Sequence, residues 1–259
     1  MAESSKTAVV TGGAGGLGRA LTAVLVNDGW HVAAIDLPGA ALEAAEGPQV
    51  SLWPCDLTDE AAVGATCTAI VDARPSIDVV IYNAGITQVG LFADLPSAAH
   101  RTIFEVNYFG SVNVAAGFVH ALRASGGKHL AISSVAGFAP LYKRTAYAGS
   151  KHALEGFFGS LASEEKAHGV SVHIAAPSFV ATNIGRPDEQ PGGIARPGSA
   201  TDGVDYMDAD EAARLILRGL AKGKKMIPVG RVASMAWRLH RTSPGAYVRM
   251  MERNIAKDD

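Results

Sequence analysis

Short runs that are apolar through their middles alternate with longer helical stretches, and this alternation limits the fold more than any other feature. Thr7–Thr11 reads T-A-V-V-T, His31–Asp36 reads H-V-A-A-I-D and Asp78–Tyr82 reads D-V-V-I-Y. A strand with one wet face would alternate apolar and polar residues. Runs without that alternation belong to a sheet covered on both sides. Further strands are expected at Val50–Trp53, Lys128–Ser133, Val170–Ala176 and Lys225–Val229. Helices are expected at Gly16–Asp28, Asp59–Ala73, Pro96–Ala124, Arg144–His168 and Asp208–Ala221. Strands separated by helices imply right-handed crossovers and a doubly wound, seven-stranded parallel α/β sheet. Its ligand crevice should lie at the carboxyl ends of the strands.

No repeat, linker or low-complexity segment divides the 259 residues, so residues 1–259 are expected to form a single domain. Residues 183–206 are different. They hold Pro187, Pro191, Pro197 and five glycines, and are expected to form a substrate lid. Residues 230–259 should form a C-terminal helical tail. Val232, Met235, Ala236 and Leu239 are expected on one face of it, with Trp237 and Arg241 elsewhere.

The turn after the first strand is Thr11-Gly12-Gly13-Ala14-Gly15-Gly16-Leu17-Gly18. Glycines there allow a tight turn and let backbone N–H groups reach a pyrophosphate, next to the positive end of a helix. Asp36 closes the second strand about 20 residues past the turn, where a carboxylate can accept from both hydroxyls of an adenosine ribose and repel a 2′-phosphate. Leu37 follows it, and no Lys or Arg precedes Gly16 in the turn. The pattern therefore favours NAD over NADP. Arg19, the nearest cation, reads as a solvated helix charge. Asp56, followed by Leu57, is placed to meet adenine or else to start the next turn. Asn83-Ala84-Gly85 ends the fourth strand with residues small enough for backbone to lie against a flat cofactor.

Tyr147 and Lys151 are four apart at the start of a helix, hence on one face. A lysine ammonium beside the phenol, with oxidised nicotinamide, is expected to lower its pKa into a useful range for a general base. Upstream, Ser133 and Ser134 end the fifth strand. Neighbouring strand residues point to opposite faces, so one of the two should face the crevice.

In this order, the glycine turn, Asn83-Ala84-Gly85, the serine and Tyr-Ala-Gly-Ser-Lys resemble the short-chain dehydrogenase/reductase family over about Lys6 to Val229. The resemblance implies a Rossmann fold. It implies Tyr147 as acid/base, Lys151 as the group that lowers the tyrosine pKa and holds the nicotinamide ribose, Ser134 rather than Ser133 as the catalytic serine, and Asn107 as the anchor of a proton-relay water. It also aligns Gly12, Gly15, Gly16, Leu17 and Gly18 with the cofactor turn. Pro177-Ser178-Phe179-Val180-Ala181-Thr182 matches the segment whose threonine bonds the nicotinamide carboxamide. Ser178 stands where the family usually has Gly, and Tyr82 where it has the first Asn of Asn-Asn-Ala-Gly.

Ile86, Thr87, Phe138, Leu141, Tyr142 and Ser178, with residues 183–206, are the expected pocket lining. Their character points to an apolar secondary alcohol or ketone, not a sugar. The expected activity is NAD-dependent alcohol/ketone interconversion. Two alternatives are a sugar-nucleotide epimerase/dehydratase, disfavoured by chain length and glycine spacing, and a non-catalytic NAD(H) sensor or scaffold, disfavoured by the retained Tyr147 and Lys151. Small-residue helices (Gly110, Ala115, Ala116, Gly117; Gly149, Gly156, Gly159, Ser160) suggest a homodimer or homotetramer.

Charge narrows the partners. The net charge of −2 does not suit a nucleic-acid binder. Cys55 and Cys67 lack a metal-ligand spacing, no metal is expected, and two cysteines in a chain this long suit a reducing cytoplasm. No leader pattern opens the sequence, and no run approaches the roughly 18 apolar residues of a membrane span. Lys222 to Arg253 holds eight Lys or Arg against Glu252. This basic tail is expected to pack near the pocket or a subunit interface, and membrane contact is not expected.

Overall fold

The computed structural model describes residues 6–182, 193–195 and 206–255. Seven strands form the central sheet: β1 (Thr7–Thr11), β2 (His31–Asp36), β3 (Val50–Pro54), β4 (Val79–Tyr82), β5 (Lys128–Ile132), β6 (Ser171–Pro177) and β7 (Met226–Val229). Their order is β7-β6-β5-β4-β1-β2-β3 and every pairing is parallel. The order reverses beside β1, which opens a crevice between the carboxyl ends of β1 and β4.

Alternation along each strand divides the core. Val9, Ala33 and Val80 face one side, under α2 (Glu60–Ala73), α4 (Gly110–Ser125) and α5 (Thr145–Glu165). Ala8, Val10, Val32 and Ile81 face the other, under α1 (Gly16–Asn27) and α6 (Ala209–Ala221). Both faces are covered, which is why the strands lack polar alternation. Asp59 and Asp208 are the N-caps of α2 and α6, each accepting from first-turn amides, so those helices begin one residue after the expected aspartates.

Residues Pro96 to Ala124, read from sequence as one helix, are instead α3 (Ser97–Phe104), a π-helical turn (Glu105–Phe109) and α4. The wide turn brings Asn107 fully inside, where its side chain bonds backbone of another segment.

The described part of the tail forms two helices. In α7 (Arg231–Thr242) the buried residues are Ala233 and Ala236, whereas Met235 is 53% exposed. The helix turns towards the apolar patch formed by Val135, Phe138, Ala139 and Tyr247, and that patch selects its inner face. Tyr247 comes from a further helix, α8 (Pro244–Ile255).

Candidate active site

The crevice is built first from the β1–α1 turn. Gly12 has φ +64°, and a Cβ there would lie 2.8 Å from the Ala84 Cα. A Cβ on Gly16 would lie 2.7 Å from the Thr182 Cβ, and one on Gly18 would overlap the Gly12 carbonyl. Glycine is thus required by close backbone approach at three places. Thr11 and Asn83 lock the turn to β4: Thr11 Oγ1 accepts from Asn83 N (3.0 Å) and Ala84 N (3.1 Å), and Asn83 Nδ2 donates to Thr11 O (3.0 Å) and Gly12 O (3.1 Å).

Helix α1 begins at Gly16 with no side-chain cap, so no side chain shields its first-turn amides from an anion. Asp36 leans over this turn. Its Oδ2 accepts from Ala14 N and its Oδ1 from Leu37 N, both at 2.8 Å. Leu37 is 59% exposed beside it, and Arg19 is exposed on α1. Asp56 Oδ1 accepts from Thr58 N and Thr58 Oγ1, the turn-starting role. Leu57 is buried against α4, and its carbonyl accepts from Asn113. The uncapped helix start and the carboxylate over the turn fit a dinucleotide.

Side-chain direction separates the two serines. Ser133 Oγ turns away and donates to Glu155 Oε1 at 2.6 Å, whereas the Ser134 hydroxyl accepts from Ala136 N and favours the Tyr147 phenolate. Lys151 is buried. Its Nζ donates to the Ile132 carbonyl (2.8 Å) and lies 5.9 Å from the Tyr147 ring centre. Gly85 completes the group, because a Cβ there would lie 3.2 Å from Asn107 Oδ1 and 3.6 Å from Lys151 Nζ. Asn107 Oδ1 accepts from Ile86 N (2.8 Å), and its Nδ2 donates to Ile86 O (2.9 Å) and Ser150 Oγ (3.0 Å). Ser150 Oγ in turn donates to Tyr147 O. Asn107 therefore ties the segment after β4 to the helix of Tyr147 and Lys151.

The protein's own groups act on the phenol apart from the nicotinamide charge on which the expected lowering also rests. Burial raises the Tyr147 phenol above its ordinary value, and this outweighs the lowering by the Ser134 hydrogen bond and the Arg144 charge. Burial also pulls Lys151 down to about 8, against the charge of Glu155. With a pKa of about 8 the lysine is still mostly charged at neutral pH and loses its charge as pH rises through 8. The protein's own groups do not bring the phenol into the neutral range.

Two residues missed in the sequence matter here. Glu155 continues the series Tyr147, Lys151, Glu155 at steps of four, a signal that was available. Buried Arg144 directly precedes α5; its Nη1 donates to Thr87 Oγ1 (3.0 Å) and Gln88 O (3.4 Å). Thr87 is consequently buried, and Thr87–Gln88 pairs with Ile194–Ala195 in a small antiparallel ribbon. Ile86 is half-buried beside Ile103 and Ala146. Phe138 packs towards α7 with its ring 6.3 Å from His240, Leu141 is partly exposed, and Tyr142 is 39% exposed under Lys143. Pro177 is buried at the end of β6, with Ser178 and Thr182 partly exposed beyond it. The expected lid lies outside the described residues except for 193–195 and Tyr206. Among the described residues no cluster of three or more His, Cys, Asp or Glu is placed to hold a metal.

A glycine turn at a switch point, a carboxylate over it, and a Ser-Tyr-Lys group beside it define a dinucleotide-linked oxidoreductase site. The chain belongs to the short chain dehydrogenase family, whose model matches residues 6–191. It is 35% identical over 228 residues to the 1-deoxy-11-beta-hydroxypentalenate dehydrogenase of Streptomyces avermitilis, covering 84% of this chain and 82% of that protein. It is 31% identical over 269 residues to dehydrogenase/reductase SDR family member 7B of Bos taurus, covering 96% of this chain and 81% of that one. A solved short chain dehydrogenase from Burkholderia cenocepacia, in complex with NADP, superposes with a TM-score of 0.82 at 24% identity, over 95% of this chain and 97% of that chain. That likeness carries the fold. The protein is an oxidoreductase of this family with a site for a nicotinamide cofactor.

Proposed function

We propose that the protein interconverts a secondary alcohol and a ketone on a mainly apolar small molecule, using NAD(H). The observation that carries this reading is the grouping at the strand ends of Tyr147 with Lys151 Nζ 5.9 Å from its ring, beside Ser134, whose hydroxyl favours the phenolate. A bound nicotinamide would supply or accept the hydride. Ser134 holds the substrate oxygen, and Tyr147 takes or gives the proton at that oxygen. Lys151, held by Ile132 O, sets the charge behind the phenol. Ile86 and Leu141 offer apolar contact, which suits a steroid-like, terpenoid or aryl substrate. The relative from Streptomyces avermitilis, named for a hydroxylated pentalenate, supports that class.

Asp36 supports NAD. Its carboxylate is fixed over the turn by two backbone amides, where a 2′-phosphate would meet repulsion. Two buried free cysteines suit a reducing, cytoplasmic setting.

The test is turnover of NAD with a panel of terpenoid, steroid and aryl secondary alcohols, for the wild type and Tyr147→Phe. Cofactor binding should stay within a few-fold while turnover drops by about a hundredfold or more. Retention of more than a tenth of wild-type activity would remove Tyr147 from its role. Undiminished cofactor binding without turnover of any alcohol or ketone would favour the sensor reading.

A further inference from the structure

Strand β7 is the outer edge of the sheet and pairs only with β6. Helices α6 and α7 flank it, and a groove of about 960 Å³ runs between them. That volume is in the range of small-molecule sites, roughly 300–1,000 Å³. The groove meets the segment after β6 at Ser178 and extends away from the glycine turn towards Lys224.

The two walls repeat one pattern. Glu211, Leu215, Arg218 and Lys222 line it from α6 at steps of four, three and four; Arg231, Met235, Arg238 and Thr242 line it from α7 at the same steps. On α7 the apolar Met235 lies between Arg231 and Arg238, and on α6 Leu215 lies between Glu211 and Arg218, with Lys222 one turn further on. Ile227, Pro228 and Leu239 add apolar surface, and Lys224 adds a fifth cation. Among the described residues Glu211 is the only acid in the lining. Among the described residues none of these five cations is in an ion pair, whereas Arg123 and Glu165 are. In a chain of net charge −2 this is a strong local excess of positive charge. A second copy docked edge to edge would set cations against cations.

We propose that this groove binds a single-chain amphiphile with an anionic head, phosphate or carboxylate. The chain lies on Leu215, Met235 and Leu239, and the head is held between Arg218 and Arg238. The site is separate from the Ser134–Tyr147 centre, and the inference does not rest on the proposed reaction.

Calorimetry on the full chain tests it at 0.15 M salt, with dodecyl phosphate kept monomeric as probe. Dodecyl maltoside supplies the chain without charge, and inorganic phosphate the charge without the chain. Dodecyl phosphate should bind at least tenfold more tightly than either. Arg218→Glu with Arg238→Glu should weaken it at least tenfold, while Arg218→Lys with Arg238→Lys stays within a few-fold. Ser234→Phe fills the groove without changing charge and should also weaken binding at least tenfold. Melting curves confirm that each variant is folded. Absence of binding by the wild type, or equal binding of either control compound, would overturn the proposal. So would dodecyl phosphate binding that ignores both the charge reversal and Ser234→Phe, because the ligand would then sit elsewhere. Flotation with anionic vesicles that persists in Ser234→Phe, alongside no monomer binding, would replace the groove with a membrane-facing surface and likewise overturn it.

Discussion

Ser133 Oγ donates to Glu155 Oε1 at 2.6 Å, and this bond ties the end of β5 to helix α5 directly behind the serine that faces Tyr147. Gly137 covers the pair so closely that a Cβ would overlap both oxygens. Glu155→Gln keeps an acceptor and should be tolerated. Glu155→Leu leaves the Ser133 hydroxyl unpaired and should cost about 1–3 kcal/mol, or roughly 2–4 °C in Tm per kcal/mol. It should also lower kcat more than it raises KM, because Ser134 loses its support. Thermal melts and steady-state kinetics on the two variants check this; equal behaviour of Gln and Leu would remove the bond from that role.

Lys151 gives a pH signature. Its folded pKa of about 8 lies below its ordinary value of 10.5. The folded state therefore binds its proton less well than the unfolded state, and the associated cost grows as pH falls from about 10.5 to about 8 and is complete below that. Lys151→Met removes that cost. The stability of the variant relative to wild type should rise by about 2 kcal/mol between pH 9.5 and pH 6.5. Denaturant unfolding at the two pH values measures the difference; a flat difference would show that Lys151 is not desolvated in the fold.

Cofactor choice rests on Asp36. The wild type should prefer NAD(H) to NADP(H) by at least about 30-fold in kcat/KM, equivalent to about 2 kcal/mol. Asp36→Ala with Leu37→Arg should narrow or invert the ratio. The double variant also frees Ala14 N, which Asp36 otherwise engages, so a small loss of stability should accompany the change. Equal use of both cofactors by the wild type would place Asp36 off the ribose.

The outward face of α5 carries Gly156, Gly159 and Ser160, all exposed, and no other atom lies within 4 Å of a Cβ built on either glycine. Phe109, at the junction with α4, is 46% exposed. By contrast a Cβ on Gly117 would lie 2.5 Å from Cys67 Sγ, so that glycine serves packing of α4 on α2. We expect the α5 face to pair two copies. Light scattering should give a dimer or tetramer at micromolar concentration, and Gly159→Arg should dissociate it; a monomeric mass for the wild type would refute this.

The inner strands were legible because they are rich in β-branched and apolar residues and buried on both faces, as at Val9 and Ala33, whereas the edge strand Val50–Pro54 is only partly buried. The places of Asp36, Tyr147 and Lys151 were legible from a strand end and a spacing of four, whereas strand position left Ser133 and Ser134 open and only the family resemblance chose between them. The π-helical turn at Glu105–Phe109 was not. It arises from contacts of Asn107 with Ile86, far away in sequence, and a helical period read locally passes straight over it. The same holds for the inner face of α7. Its hydrophobic spacing allowed Met235 inside, but the partner surface around Val135 and Tyr247 took Ala233 and Ala236 instead. The burial that raises the Tyr147 phenol was not legible either, because spacing gives the neighbour but not the depth.

The apolar patch beneath Ser134 has a consequence for biosynthesis. Val135 and Ala139 immediately follow the serine, yet the residues that pack on them, Ala233, Ala236 and Tyr247, come from far downstream. A nascent chain emerging from the ribosome carries Ser134, Tyr147 and Lys151 into solution well before α7 and α8 exist. Until Tyr247 has cleared the exit tunnel, the turn behind the serine keeps its apolar side uncovered. The catalytic group can therefore become rigid only late in translation, and during that interval the exposed Val135–Ala139 patch is a place for a chaperone to bind.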